Sequence, residues 1–182
     1  MSKKKLKIMV SSTVYGSESD LDAIYSILDG FGYEVVMSKE GTVYVPAGYT
    51  SEQACLKAVE DCDLFFGIVF PRYGSGITHK EFLKAEELDK PRWFIAHHYV
   101  TFARKLLQQF MFDKDGKRIK DFEIKPTSVL DSVKVIDMYN DIKSNWAHSF
   151  FKTNETYKFI NTQFKNIKLR KKELEKIQRN KE

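Results

Sequence analysis

Leu64-Phe65-Phe66-Gly67-Ile68-Val69-Phe70 is the most apolar run in the chain. It lacks polar alternation, the pattern of a strand covered on both faces inside a parallel sheet. Just upstream, Cys55, Ala58, Val59 and Cys62 form an apolar stripe at helical spacing. Thr50 or Ser51 stands where a cap would start that helix, which is expected to end near Asp61. Further back, residues 38–50 are irregular and broken by Gly41, Pro46 and Gly48. Tyr33 to Met37 (YEVVM) reads as a strand. Leu21, Ile24, Tyr25 and Leu28 mark a helix from Ser19 to Asp29, stopped by Gly30 and Gly32. Leu6 to Val10 (LKIMV) is the first strand. Downstream of the central run, PRYGSGITHKEF leads into a helix from Thr78 to about Leu88. Pro91 then precedes a fourth strand, Arg92 to Ala96.

Strands and helices alternating in this way predict a doubly wound parallel sheet. Ligands of such sheets bind outside the carboxyl ends of the strands, near a switch in strand order. The loops to watch are therefore 11–19, 38–50, 71–78 and 97–99. Beyond residue 100, Thr101 to Phe112 reads as helical and Asp113–Gly116 (DKDG) as a turn. Val133 to Tyr139 fits either a fifth strand or a helix. One long helix is expected from Thr153, apolar at Tyr157, Ile160, Phe164 and Ile167.

The 182 residues suit one domain, and 42% hydrophobic with 14% aromatic residues excludes wholesale disorder. No apolar run approaches a membrane span of about 20 residues. The opening MSKKKLKIMVSST is too short in its apolar part for a signal peptide. Cys55 and Cys62 are seven residues apart on one predicted helix, hence about 10 Å apart along its axis. That is too far for a disulfide, whose Cα atoms lie within roughly 7 Å. Buried thiols and a cytoplasmic location are the reading. Four scattered histidines offer no metal-ligand spacing, and no metal site is predicted. The net charge of +5 resides in residues 163–182, with eight Lys/Arg against three Asp/Glu. Such a tail can bind nucleic acid or a membrane. Its last stretch lacks interleaved aromatics, and a solvated or packing helix is expected.

The segment Tyr73-Gly74-Ser75-Gly76-Ile77-Thr78-His79-Lys80-Glu81 carries the most chemistry. Glycines make a flexible loop directly after the central strand. Glu81 follows one turn into the next helix, where the helix dipole favours its ionised form. Thr78-x-x-Glu81 also has the form of a capping box, a purely structural role. Ser11, Ser12 and Thr13 follow the first strand, where hydroxyls and backbone N–H groups can hold a phosphate or ribose. Neither a GxGxxG fingerprint nor a Walker loop is present. Asp63 reads as a turn residue at the far end of the sheet. His97 and His98 read as surface histidines at a strand exit. Tyr15, Tyr44 and Tyr73 lie on or beside the loops, where each could stack on a base or simply pack.

Taken in order, KIMVSST, SESDLDAI, CLKAVEDCDLFFGIV, RYGSGITHKEFLKA and KPRWFIA resemble a TIR-like family known as domain of unknown function 4062. The likeness covers about Lys7 to Ala96. It implies a flavodoxin/TIR-like three-layer α/β sandwich with a parallel sheet of 4–5 strands and a C-terminal helical extension. The domain would span residues 1–150, with a basic helix over 151–182. Such domains are similar to TIR domains and to nucleoside 2-deoxyribosyltransferases. In both, a glutamate at the start of the helix after a central strand acts on an N-glycosidic bond. Gly76, Thr78 and Glu81 stand in similar places, so the resemblance assigns the catalytic role to Glu81. Ser11, Ser12, Thr13, Tyr73, Gly74, Ser75, Gly76 and Thr78 would form the substrate site. The Ser or Trp-Cys that precedes the glutamate in TIR domains is absent here.

Two functions follow from the resemblance. One is cleavage or rearrangement of the N-glycosidic bond of NAD or a related nucleotide, in antiviral defence signalling. The nucleotide is then substrate and not cofactor. The other is a non-catalytic nucleotide-sensing or self-assembly module. A homo-oligomer, and a partner effector or NTPase, are the expected partners. Nucleic-acid binding through the tail rests only on its clustered Lys and Arg.

Overall fold

The computed structural model describes residues 5–120 and 122–179. The first four residues and the last three of the basic tail, 180–182, lie outside them. Five parallel strands form one sheet in the order β2-β1-β3-β4-β5. They are β1 (Lys7–Ser12), β2 (Glu34–Val36), β3 (Leu64–Val69), β4 (Arg92–His97) and β5 (His148–Phe150). The helices are α1 (Glu18–Gly30), α2 (Ser51–Asp61), α3 (Ile77–Glu87), α4 (His98–Met111), α5 (Lys134–Ile142), α6 (Thr153–Phe164) and α7 (Ile167–Arg179). Among the described residues no helix is long and apolar enough to cross a membrane.

Alternation along each strand sorts the core into two halves. Met9, Phe65, Val69 and Phe94 face one layer, with Val59 of α2, Phe82 of α3 and Val135, Met138 and Ile142 of α5. Ile8, Val10, Phe66, Ile68 and Ile95 face the other, with Leu21 and Leu28 of α1 and Ile160 and Phe164 of α6. Every residue of β3 is buried, as its unbroken apolar run requires. Gly67 is the exception in size. A Cβ there would lie 2.5 Å from the Phe94 ring and 2.8 Å from that of Phe82, so its bare backbone lets both rings close over the strand.

One expectation needs correction, and two readings left open are resolved. Val133 to Tyr139 contributes to α5, and the fifth strand is the three-residue β5, too short to show alternation. The single helix from Thr153 is broken at residues 165–166. There Asn166 accepts the Leu169 N–H at 3.1 Å through its side chain and starts α7 as a cap. The basic tail also packs: Arg170 lies over the Trp93 ring at 4.7 Å and its Nε donates to the Gln163 carbonyl at 2.7 Å. Leu174 packs against the second core half.

Candidate functional site

The strand order reverses direction about β1, whose neighbours β2 and β3 lie on its two sides. At the carboxyl ends of β1 and β3 a cleft of about 300 Å³ opens, with Ser11, Ser12, Thr13, Tyr73, Thr78 and Glu81 in its wall. The topology thus brings together residues from two loops, a helix and the last two positions of β1, which runs on through Ser11 and Ser12 instead of ending at Val10, at the place where such sheets bind ligands.

Glu81 is 3% exposed. On α3 the buried residues are Thr78, Glu81, Phe82 and Ala85, so the glutamate occupies a position of the apolar stripe. Ser11 lies on the same strand face as Met9, which turns its hydroxyl toward α3, and there it donates a hydrogen bond to Glu81 Oε2. Burial pushes the Glu81 carboxyl above the ordinary glutamate range, while the Ser11 hydroxyl and the Cys55 thiol pull it back. The dipole expectation, which favoured ionisation, is therefore outweighed by desolvation. The capping-box reading also fails: Gly76 is the N-cap, in the left-handed region at φ 82°, which puts Thr78 at the second helical position and Glu81 in the second turn.

Both loop glycines are required by geometry. Gly74 has φ 62°, and a Cβ on it would approach Thr13 Cγ2 to 3.1 Å. A Cβ on Gly76 would meet the Tyr73 ring at 3.0 Å. The loop they shape is held from both sides. Thr13 Oγ1 donates to the Arg72 carbonyl at 2.9 Å, and the Tyr73 N–H donates to the Asp131 carboxylate at 3.0 Å. Ser12 Oγ donates to the Thr13 carbonyl at 3.1 Å. Ser75 Oγ sits 3.5 Å from the Ile77 N–H at the helix start.

Several side chains join the cleft that the residue pattern alone did not single out for it: Ser38, Lys39, Ser51 and Cys55. Lys39 is the one cation among the described residues lining it, and it pairs with Asp22 and, at 3.2 Å, with Glu40. Cys55 is a buried thiol, as expected, but its sulfur lies 3.4 Å from Ser38 Oγ in the cleft wall. Burial pushes its pKa up to about 11, so it remains a protonated thiol. Backbone hydrogen bonding at the start of α1, from Glu18 itself and then from Gly16 and Ser17, holds the Glu18 carboxylate below its ordinary range. A phosphate at the start of α1 would compete with that carboxylate.

Other candidates stand elsewhere. Tyr15 and Tyr44 are 77% and 80% exposed and do not line the Glu81 cleft. His97 caps α4, accepting the Tyr99 N–H at 3.2 Å, and borders a separate depression with Tyr15 and Phe150. Asp63 accepts the Lys7 N–H at 2.8 Å at the opposite end of the strands, as expected.

The parallel order, the helical layers and the cleft at the switch point define an α/β domain of the TIR-like class. The chain belongs to the family described as Domain of unknown function (DUF4062), whose model matches residues 7–149. Among solved structures it is similar to the TIR domains of the activated Roq1 resistosome, which directly recognises the pathogen effector XopQ. That match has a TM-score of 0.53 and 11% identity over 92% of this chain and 99% of that chain. A conserved protein from Enterococcus faecalis V583 superposes with a TM-score of 0.48 and 12% identity, over 88% of this chain and 99% of that one. A search of curated proteins finds no match.

Proposed function

We propose that the domain binds NAD or a related nucleotide in the Glu81 cleft and cleaves or rearranges its N-glycosidic bond. The observation that carries this reading is Glu81 itself: an almost fully buried carboxyl on an apolar helix stripe, opening on a cleft lined by hydroxyls. Packing alone is better served by an apolar residue at such a position, because burying a carboxyl is costly. A carboxyl with a raised pKa in a cleft is a recurrent mark of chemistry.

The residues fit the reaction. As the base departs from C1′, positive charge develops on the sugar ring, and a carboxylate stabilises it by charge or by covalent attack. That same charge favours the ionised form of Glu81. The Ser11, Ser12 and Thr13 hydroxyls each spend their proton inside the protein, on Glu81, the Thr13 carbonyl and the Arg72 carbonyl, so in this arrangement they meet a sugar hydroxyl as acceptors. Lys39 offers the cleft a positive charge for a diphosphate. A role in defence signalling is proposed by analogy with the Roq1 resistosome, on the shared fold.

The test incubates the purified protein with NAD, and separately with a panel of nucleosides and nucleotides, and follows products by chromatography with mass detection. Free nicotinamide or base is expected from the parent and not from Glu81→Gln. Equal yield from both proteins would sink the proposal.

A second reading, a self-assembly module, draws on another observation. Phe102, Leu106 and Phe110 are 56%, 59% and 50% exposed on α4 and recur at four-residue intervals, forming one apolar ridge. A ridge of this kind can interdigitate with its own copy across a twofold axis, or with a partner effector or NTPase. Leu106→Glu is expected to convert an oligomer to monomer in analytical ultracentrifugation. A monomeric parent would argue against this reading.

A further inference from the structure

Behind Tyr73 stand two side chains that the glycosidic reading does not use. Tyr73 Oη lies 3.1 Å from His79 Nδ1, and His79 Nε2 lies 2.8 Å from Asp141 Oδ2. Phenol, imidazole and carboxylate come from three separate segments: the loop after β3, the first turn of α3 and the end of α5. The imidazole is mostly sequestered, with 15% of its side chain exposed. The phenol is fixed as well, by its ring over Gly76 and by the Asp131 clamp on its backbone.

We propose that Asp141, His79 and Tyr73 form a proton relay that makes the Tyr73 hydroxyl the proton acceptor of the Glu81 cleft, for the attacking water or a sugar hydroxyl. The order of protons follows from the donor inventory. A carboxylate only accepts, so His79 Nε2 carries the proton toward Asp141. In the neutral ring Nδ1 then accepts from the Tyr73 O–H. With its own proton engaged, Tyr73 Oη presents lone pairs to the cleft. This is the arrangement of a hydroxyl, a base and an orienting carboxylate, with a phenol in the hydroxyl's place.

The substrate comes from the glycosidic reading; the geometry of the relay does not depend on it. In hydrolysis a water O–H gives its proton to Tyr73 Oη as the Tyr73 proton passes to His79 Nδ1. The water oxygen forms the bond to C1′, the C1′–N bond breaks, and its electron pair leaves with the base. The positive charge ends on the imidazolium, beside Asp141. Burial and then Asp137 hold the Tyr73 phenol above its ordinary range, so a free phenolate is disfavoured and the two proton transfers belong together. The other charges around the phenol are Lys80 on α3 and, on α5, Asp141 and Lys134, whose Nζ lies 5.9 Å from the ring centre.

The experiment compares parent, Tyr73→Phe, His79→Gln and Asp141→Asn in two readouts: steady-state turnover across pH, and nitrogen-15 spectra of the histidine rings. Tyr73→Phe and His79→Gln are expected to lower kcat by about 10²–10⁴-fold with KM little changed. Asp141→Asn should lose less, because Asp141 is 42% exposed and water can take its place. The pH–rate limb that requires neutral imidazole should vanish in His79→Gln. Glu81-dependent turnover that proceeds at the parent rate in Tyr73→Phe overturns the relay and leaves the glycosidic reading standing. Absence of turnover in the parent overturns the glycosidic reading, and the spectra then decide the relay. They must place the proton of the neutral His79 ring on Nε2, and the Nδ1 signal must move when NAD is added. A protonated Nδ1 in the neutral ring, or no response to NAD, overturns it.

Discussion

The Glu81 cleft and the groove beside β5 differ in size and in whether a buried carboxyl stands in the wall. The groove, between β4, β5 and α6, encloses about 700 Å³ against about 300 Å³ for the cleft. Its walls include the aromatic rings of Trp93, Phe94, Trp146 and Phe159, and two of its polar residues are matched: Arg92 Nε donates to Asn145 at 3.0 Å, and Glu155 accepts the Phe151 N–H at 2.7 Å. The cleft is smaller but holds a buried carboxyl whose pKa is raised. Volume reports where short β5 leaves the sheet edge unfilled. A titratable group kept at the cost of desolvation reports where chemistry can be supported.

The largest effect that sharpens this contrast is loss of turnover. Glu81→Gln is expected to reduce product formation from NAD or a nucleoside by about 10³-fold or more. Phe159→Ala, in the wall of the larger groove, should leave turnover per folded molecule within about twofold. Equal losses from both would erase the distinction between the two regions.

Legibility in the sequence follows the same divide between halves of the chain. The elements that build the cleft were readable because β3 is an unbroken apolar run, β1 carries the short apolar core Ile8–Val10, and Gly30, Gly32, Gly48 and Pro91 punctuate the chain around them. Thr50 caps α2 in a full capping box with Gln53, as its position suggested. Residues 113–152 were ambiguous for a physical reason. Val133, Val135, Ile136, Met138 and Ile142 are all buried, a set that satisfies strand alternation at its start and helical spacing over its length. Within the site, Glu81 and the hydroxyl residues around it were named from the sequence, but its burial, the true helix start and the Ser38, Lys39, Ser51 and Cys55 side of the cleft were not. The left-handed Gly76 moved the helix start two residues earlier than the Thr-x-x-Glu pattern indicated. A signal for burial was present: Thr78, Glu81, Phe82 and Ala85 share one helical stripe. Cys55 fitted its own apolar stripe so well that its second role in the cleft wall left no trace in spacing.

A second, smaller effect concerns stability. The folded state holds the Glu81 proton more tightly than the unfolded chain does, because burial raises this carboxyl above its ordinary value of 4.5. The stability it contributes is complete below that value and is lost as pH rises through the raised pKa. Within that window the slope approaches about 1.4 kcal/mol per pH unit, the limit for one proton. Glu81→Gln removes this dependence and keeps an acceptor for the Ser11 hydroxyl. The variant should therefore have a higher Tm than the parent at neutral pH, and the gap should close on acidification. A lower Tm at neutral pH would show the carboxylate to be a structural partner and would break the contrast from the side of the cleft.

The smallest expected effect probes the groove. Trp146 is 90% exposed and sits at φ 54°, in the left-handed region that most residues avoid. Relieving such a conformation with glycine is worth about 1–2 kcal/mol, and the unfolded chain recovers roughly 0.4–1 kcal/mol of that through the freedom glycine gives it. So exposed a ring has little burial to lose. Trp146→Gly should therefore shift stability by no more than about 1.6 kcal/mol and leave the Glu81-dependent reaction at the parent rate. A loss of several kcal/mol on chemical denaturation would mean that the indole is covered in solution, and a partner on the groove would be the first place to look. A loss of turnover with stability intact would couple the groove to the cleft across β3 and β4, and the two regions would have to be treated as one site.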